Sequence, residues 1–172
     1  KKLYLKILDE TIKKTKISNL KKIVLSKIES YSTEGNMNFE EIAFIMEQKY
    51  SNCFNFIIKL NNNDSFIGSS PEPIIKIQKS NLSSTALAGT FTRKNDLDNQ
   101  KELDEHHYVI KHIKKTLNKY GEITKQSETN VLKLKYAYHL HTTLRTRMKK
   151  KHHILNVLKD IYPTPALSGY PK

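Results

Sequence analysis

Four short stretches place residues that can do chemistry beside small or apolar neighbours. In Lys21-Lys22-Ile23-Val24-Leu25-Ser26-Lys27 a lysine enters an apolar run. Lysines are seldom buried without a reason, although one at a strand end ordinarily reaches solvent. Phe66-Ile67-Gly68-Ser69-Ser70-Pro71-Glu72 ends an apolar run in small residues and then a carboxylate. Glycine and serine permit close backbone approach, so a ligand can lie beside Glu72; the alternative is a strand-turn with an exposed Glu. Ala86-Leu87-Ala88-Gly89-Thr90 offers free N–H groups and a hydroxyl that could bind a carboxylate, with a plain turn the equal alternative. In Glu102-Leu103-Asp104-Glu105-His106-His107 two glutamates stand three residues apart. On a helix they share a face and suit a hard divalent cation such as Mg²⁺, although helical carboxylates are mostly solvated. Zinc is disfavoured: His107 and His112 diverge around a helix, and His139 and His141, facing one way on a strand, have no evident third ligand.

These residues need elements to hold them. Leu5, Leu8 and Ile12 recur at helical spacing, which predicts a helix over 3–16. Residues 20–30, rich in Ile, Val and Leu, read as a strand buried at its centre. Asn38, with Glu41 three residues later, forms a capping-box start for a helix running to about Lys49. Residues 54–60, 65–68, 74–78 and 82–87 read as strands of an antiparallel meander, with a turn at 61–64. Asp96 or Asp98 opens a long amphipathic helix to about Tyr120, with Leu103, Val109, Ile110, Ile113 and Leu117 on its apolar side. Residues 128–146 return to strand character, and 152–161 form a short helix. Beyond it, Tyr162-Pro163-Thr164-Pro165 must leave helix, because proline lacks the N–H and clashes with the preceding turn. The class is α+β, with peripheral helices on antiparallel β-sheets.

Bulk properties narrow the function classes. The chain has 172 residues, a hydrophobic fraction of 37% and a formal charge of +13. Such a charge alone suggests a nucleic-acid or anionic-membrane partner, and a nucleic-acid-binding module would gather Lys and Arg on one contiguous face. Here the cations are scattered through nearly every segment, so a solvated Lys-rich surface with no nucleic-acid partner is the reading adopted. No apolar run approaches the roughly 18 residues of a spanning helix, which disfavours a membrane partner. The opening Lys1-Lys2-Leu3-Tyr4 lacks a signal-peptide apolar region. Cys53 is the only cysteine, so no internal disulfide can form and a cytoplasmic location is the simplest reading. Oligomeric state is not legible.

Taken in order, the stretches 21–27, 66–72 and 86–90, the Asp-Glu-His at 104–106, the His-Leu-His-Thr at 139–142 and the tail Tyr-Pro-Thr-Pro-Ala-Leu-Ser-Gly-Tyr-Pro-Lys at 162–172 resemble the chorismate-binding enzymes. That family comprises the isochorismate, salicylate, anthranilate and aminodeoxychorismate synthases. The resemblance covers nearly all of the chain from about residue 18. It implies that Lys22 is the general base activating water, which requires its neutral amine, and that Glu72 is the general acid protonating the departing C4 hydroxyl as water adds at C2. Gly89, Thr90 and His139 would line the substrate pocket. Glu105 would bind Mg²⁺ and Glu102 would support it, the metal holding the ring carboxylate of chorismate.

Within the family, aminodeoxychorismate synthases typically carry a lysine nucleophile where this chain has Ala88, and anthranilate synthases commonly lack the lysine matching Lys22. Both features favour water as nucleophile. Salicylate synthases share Lys22 and Glu72 and then eliminate pyruvate; the Ala-Leu-Ala-Gly-Thr and Tyr-Pro-Thr-Pro-Ala stretches lean towards isochorismate synthase, of the menaquinone-pathway type. Family members continue past the position of Lys172 with a Tyr and an Arg for the substrate carboxylates, a Gly-rich loop and a second Mg²⁺-binding glutamate. They also carry an N-terminal sheet portion. The resemblance therefore implies that residues 1–172 are a single partial catalytic domain, incomplete at both ends and expected to be inactive alone.

Overall fold

A computed structural model of the protein describes residues 2–35, 37–61, 64–93, 96 and 99–171. The chain begins with helix α1 (Lys2–Ile17). Its covered stripe is Tyr4, Leu8, Thr11 and Thr15, whereas Leu5 and Ile12 face solvent, so the helix is rolled by about one position from the expected Leu5-Leu8-Ile12 face. The strand expected over 20–30 is confined to β1 (Lys22–Ile23), which pairs antiparallel with β9 (Gly169–Tyr170). Flanking bonds from Lys21 N to Tyr170 O and from Val24 N to Ser168 O extend the contact by one residue each way. A strand exists only as far as a neighbour receives its N–H and C=O groups. Beyond Val24 none does among the described residues, and Ile28 is 96% exposed.

Helix α2 (Phe39–Lys49) starts as expected, with Asn38 Oδ1 accepting from Glu41 N at 3.0 Å. Strands β2 (Phe54–Lys59) and β3 (Ser65–Ser70) form a hairpin, in register from Phe54 opposite Ser70 to Lys59 opposite Ser65. Within the turn between them, Asp64 N donates to Asn61 Oδ1, an Asx-type closure; Asn62 and Asn63 lie outside the described residues.

The main sheet is antiparallel and runs in the order β4 (Lys76–Gln78), β5 (Asn81–Phe91), β8 (Tyr138–Met148), β6 (Gly121–Gln126). Strand β7 (Asn130–Lys133) continues along the same edge of β8 that β6 occupies further up. Strand β6 lies outside the expected 128–146 segment. Helices α3 (Gln100–Leu117) and α4 (Ile154–Ile161) cover one face of the sheet. Leu82, Ala86, Leu144 and Met148 of the sheet meet Val109, Ile113 and Leu117 of α3 and Val157 and Ile161 of α4. Burying these side chains contributes about 1.5–3 kcal/mol each for the larger ones. Leu103, expected on this apolar side, is 38% exposed. The cap of α3 is Asn99, which accepts from Lys101 N, and Asp98 lies outside the described residues. Mixed helices and antiparallel sheet are thus the architecture expected. No helix among the described residues is long and apolar enough to cross a membrane.

Candidate active site

The site is organised by an irregularity in the longest strand pair. Strand β5 pairs with β8 residue for residue until Ala88 faces Leu140; the register then shifts, and Thr90 faces His139. Gly89 takes up the shift at φ +78°, a backbone conformation that side chains disfavour. A Cβ there would stand 2.8 Å from the Glu102 carbonyl oxygen. The absent side chain lets the first turn of α3 rest directly on the strand. Gly89→Ala should therefore lower the unfolding midpoint, with a cost on the order of 1–3 kcal/mol, and disturb the Glu102 contact; a midpoint equal to wild type in thermal melts would contradict this account.

Past the bulge, Thr90 N donates to Glu102 Oε2 at 2.7 Å, and Thr90 Oγ1 lies 3.1 Å from His139 Nδ1. Lys22 Nζ, on β1, stands 3.6 Å from Glu105 Oε2, with only 8% of its side chain exposed. Lys101 bridges both glutamates, at 2.7 Å from Glu102 Oε1 and 3.2 Å from Glu105 Oε1. Glu72 follows directly from β3, its backbone N–H directed at Ser70 Oγ.

Six of the seven candidate residues line one cavity of about 390 Å³: Lys22, Glu72, Gly89, Thr90, Glu105 and His139. Pro71, Leu87, Leu134 and Leu167 supply its apolar walls. The seventh, Glu102, stands behind it as the acceptor of Thr90 N. The Lys22–Glu105 pair also borders a second cleft of about 510 Å³ between α1 and α3.

Electrostatics differ sharply among the carboxyls. Burial pushes Glu72 up to about 7, against the smaller opposing effects of the Leu87 backbone hydrogen bond and the Lys22 charge. Its Oε1 is buried with no hydrogen-bond partner. A carboxyl that is protonated near neutrality and aimed into a cavity is equipped to donate a proton. Glu102 behaves oppositely: burial would raise it, but the bonds from Lys101 and Thr90 N, with the Lys101 and Lys22 charges, together hold it below the usual carboxylate range. Burial lowers His139. It also pushes His106, one residue beyond Glu105, down to about 4, leaving that ring neutral.

The donor chemistry of Glu102 and Glu105 fits Mg²⁺, which takes one or two protein carboxylates and completes its shell with water and substrate oxygens. Among the described residues no group of three or more His, Cys, Asp or Glu side chains is placed to form a metal cage. Lys101, 68% exposed, is the cation between the two carboxylates here. Its spacing of four from Glu105 was a legible helical ion-pair signal that sequence reasoning passed over. The apolar wall at Leu134 was likewise not foreseen.

Residues 1–172 match the family profile described as chorismate binding enzyme. The chain is 34% identical over 122 residues to the salicylate biosynthesis isochorismate synthase of Pseudomonas aeruginosa, which spans 64% of this chain and 26% of that protein. It is 26% identical over 175 residues to isochorismate synthase MenF of Haemophilus influenzae, covering 95% of this chain and 41% of that one. Among solved structures, DhbC of Bacillus anthracis superposes with a TM-score of 0.86 at 24% identity, over 99% of this chain and 50% of its own, a likeness of fold. Menaquinone-specific isochorismate synthase MenF of Escherichia coli superposes with a TM-score of 0.62 at 25% identity, over 75% of this chain and 33% of its own. The chain thus spans less than half the length of these curated relatives.

Proposed function

Because the chain belongs to the chorismate binding enzymes, we propose that it carries the acid–base machinery of an isochorismate synthase, and that the whole protein converts chorismate to isochorismate with Mg²⁺. The observation that carries this reading is Glu72, held near neutrality by burial in the same cavity as Lys22.

Lys22, as the free amine, takes a proton from water, whose oxygen bonds to C2 of the ring. The ring double bonds shift, and the C4 hydroxyl departs as water on the proton that Glu72 donates. One water enters and one leaves, so the net change is transposition of a hydroxyl. Thr90 and His139, linked at 3.1 Å, form one wall against the ring. Leu87, Leu134 and Leu167 exclude competing water. Mg²⁺ held by Glu105, with Glu102 behind it, would neutralise the charge of the ring carboxylate. Ala88, where aminodeoxychorismate synthases carry a lysine, supports water as the nucleophile, and the MenF relatives support the menaquinone-type assignment.

Product analysis of the full natural protein tests the reading. Chorismate with Mg²⁺ should give isochorismate without pyruvate, and a chelator should abolish turnover. Full turnover in chelator would remove Mg²⁺ from the assignment of Glu105. Stoichiometric pyruvate with salicylate would make the protein a salicylate synthase acting through the same residues.

A further inference from the structure

The buried stripe of α3 runs through Glu102, His106, Val109 and Ile113. Its later positions, through Leu117, are apolar except for Thr116. The first two are polar, and both are bound to the strands beneath. Glu102 meets the sheet at Thr90 N. One turn further on, His106, 3% exposed, places Nε2 2.8 Å from Thr142 Oγ1 on β8. Thr142 is itself fully buried, and its hydroxyl lies 3.0 Å from Thr129 Oγ1, ahead of β7. His106 Nδ1 is buried with no hydrogen-bond partner, and the Ala88 backbone interacts with the His106 ring. A buried polar atom left short of its partner is costly and requires a reason beyond packing. Glu105 lies between the two anchors in sequence, and its side chain reaches into the cavity and towards Lys22.

We propose that His106 is a positioning residue: held by Thr142 on one side and set against the Ala88 backbone on the other, it fixes the turn of α3 that aims Glu105 into the cavity. Without it, Glu102 alone would pin that turn, and the turn could pivot about the Thr90 contact. The inference rests on Lys22 and Glu105 belonging to the active site.

The test uses the full natural protein and measures chorismate consumption. His106→Leu fills similar volume but makes neither polar contact; kcat should fall by about tenfold to a hundredfold, as expected of a displacement on the order of 1 Å in a site. His106→Gln, whose terminal amide reaches the Nε2 position, should recover kcat to within a few-fold of wild type. Thr142→Val, near-isosteric and expected to fold, should reproduce much of the leucine loss, and combining it with His106→Leu should add little, as for two partners of one contact. A role in filling volume alone would leave His106→Leu as active as His106→Gln, overturning the proposal. So would His106→Gln as damaged as His106→Leu, which would mark the ring itself as indispensable. If His106→Leu fails to fold, the proposal stands or falls on Thr142→Val: wild-type kcat there sinks it. Lys22→Ala run alongside separates the two levels, since normal turnover in that variant defeats the active-site reading whatever happens at His106.

Discussion

Lys22→Ala in the full natural protein should lower kcat by about 10²–10⁴-fold, the contribution typical of a positioned general base. Two observations converge on it: the side chain is 8% exposed, and it borders the cavity with Glu72. The same burial complicates the experiment, because the four-carbon stem is part of the wall rather than a free surface chain. Lys22→Met restores that stem without the amine and should lose as much kcat as Lys22→Ala, with an unfolding midpoint closer to wild type. Steady-state kinetics on both variants, alongside thermal melts, separates lost chemistry from lost packing. Near-normal kcat in the methionine variant would send the search for the base elsewhere.

Glu72→Gln should be comparably damaging to kcat, since the amide keeps the shape of the acid and has no proton to give. It should at the same time make the protein more stable in alkaline solution. The folded chain holds the Glu72 proton up to about pH 7, against an ordinary value of 4.5. Between those limits the folded state binds a proton that the unfolded chain has released, so the contribution of this group to stability declines as pH rises through that window and stays low above it. Glutamine does not titrate. The midpoint of Glu72→Gln relative to wild type should therefore climb from pH 4 to pH 7.5 and level off, while wild-type turnover loses its acid above about pH 7. Inactivation accompanied by a flat midpoint difference would detach the proton donor from the burial that is held responsible for it. Loss of function with gain of stability is the usual mark of a group kept in an unfavourable setting for its chemistry.

What was legible from residue order follows the range of the interactions concerned. The Asn38 cap depends on residues three apart, and it stands where its spacing places it. The β2–β3 hairpin and the end of α4 before Tyr162-Pro163 are also local matters. Strand β5 outruns its expected end at Leu87 because Gly89 absorbs a register shift and pairing resumes at Thr90; no local signal reveals that resumption. Conversely, the apolar run after Lys22 satisfies every local criterion of a strand and still gains only two ladder residues, since its partner β9 is that short. Strand β6, Gly121–Gln126, is too polar to declare itself and is held by β8. The candidate residues were found through a resemblance spread over the chain. Their convergence on one cavity depends on the β1–β9 pair and the bulge, both long-range features. His106 was given no role because its partner Thr142 becomes meaningful only once α3 lies on the sheet, whereas Lys101 carried a local signal, four residues from Glu105, that was passed over.

Placing Lys22 and Glu72 on one cavity has a further consequence for the cycle of the enzyme under the roles proposed here. A forward turnover moves one proton onto the lysine and another off the glutamate. The protein then ends with the same number of protons as at the start, arranged as ammonium and carboxylate. It has become a prototropic isomer of itself, ready for the reverse reaction and unready for the next forward one. Product release is therefore not the close of the cycle: a proton must travel from Lys22 back to Glu72 before a second chorismate can react. The cleft between α1 and α3 also borders Lys22, though not Glu72, and would give solvent a second approach to the amine. Under those roles free enzyme would exist in two catalytically distinct forms, and the speed of their interconversion would set a ceiling on turnover in either direction.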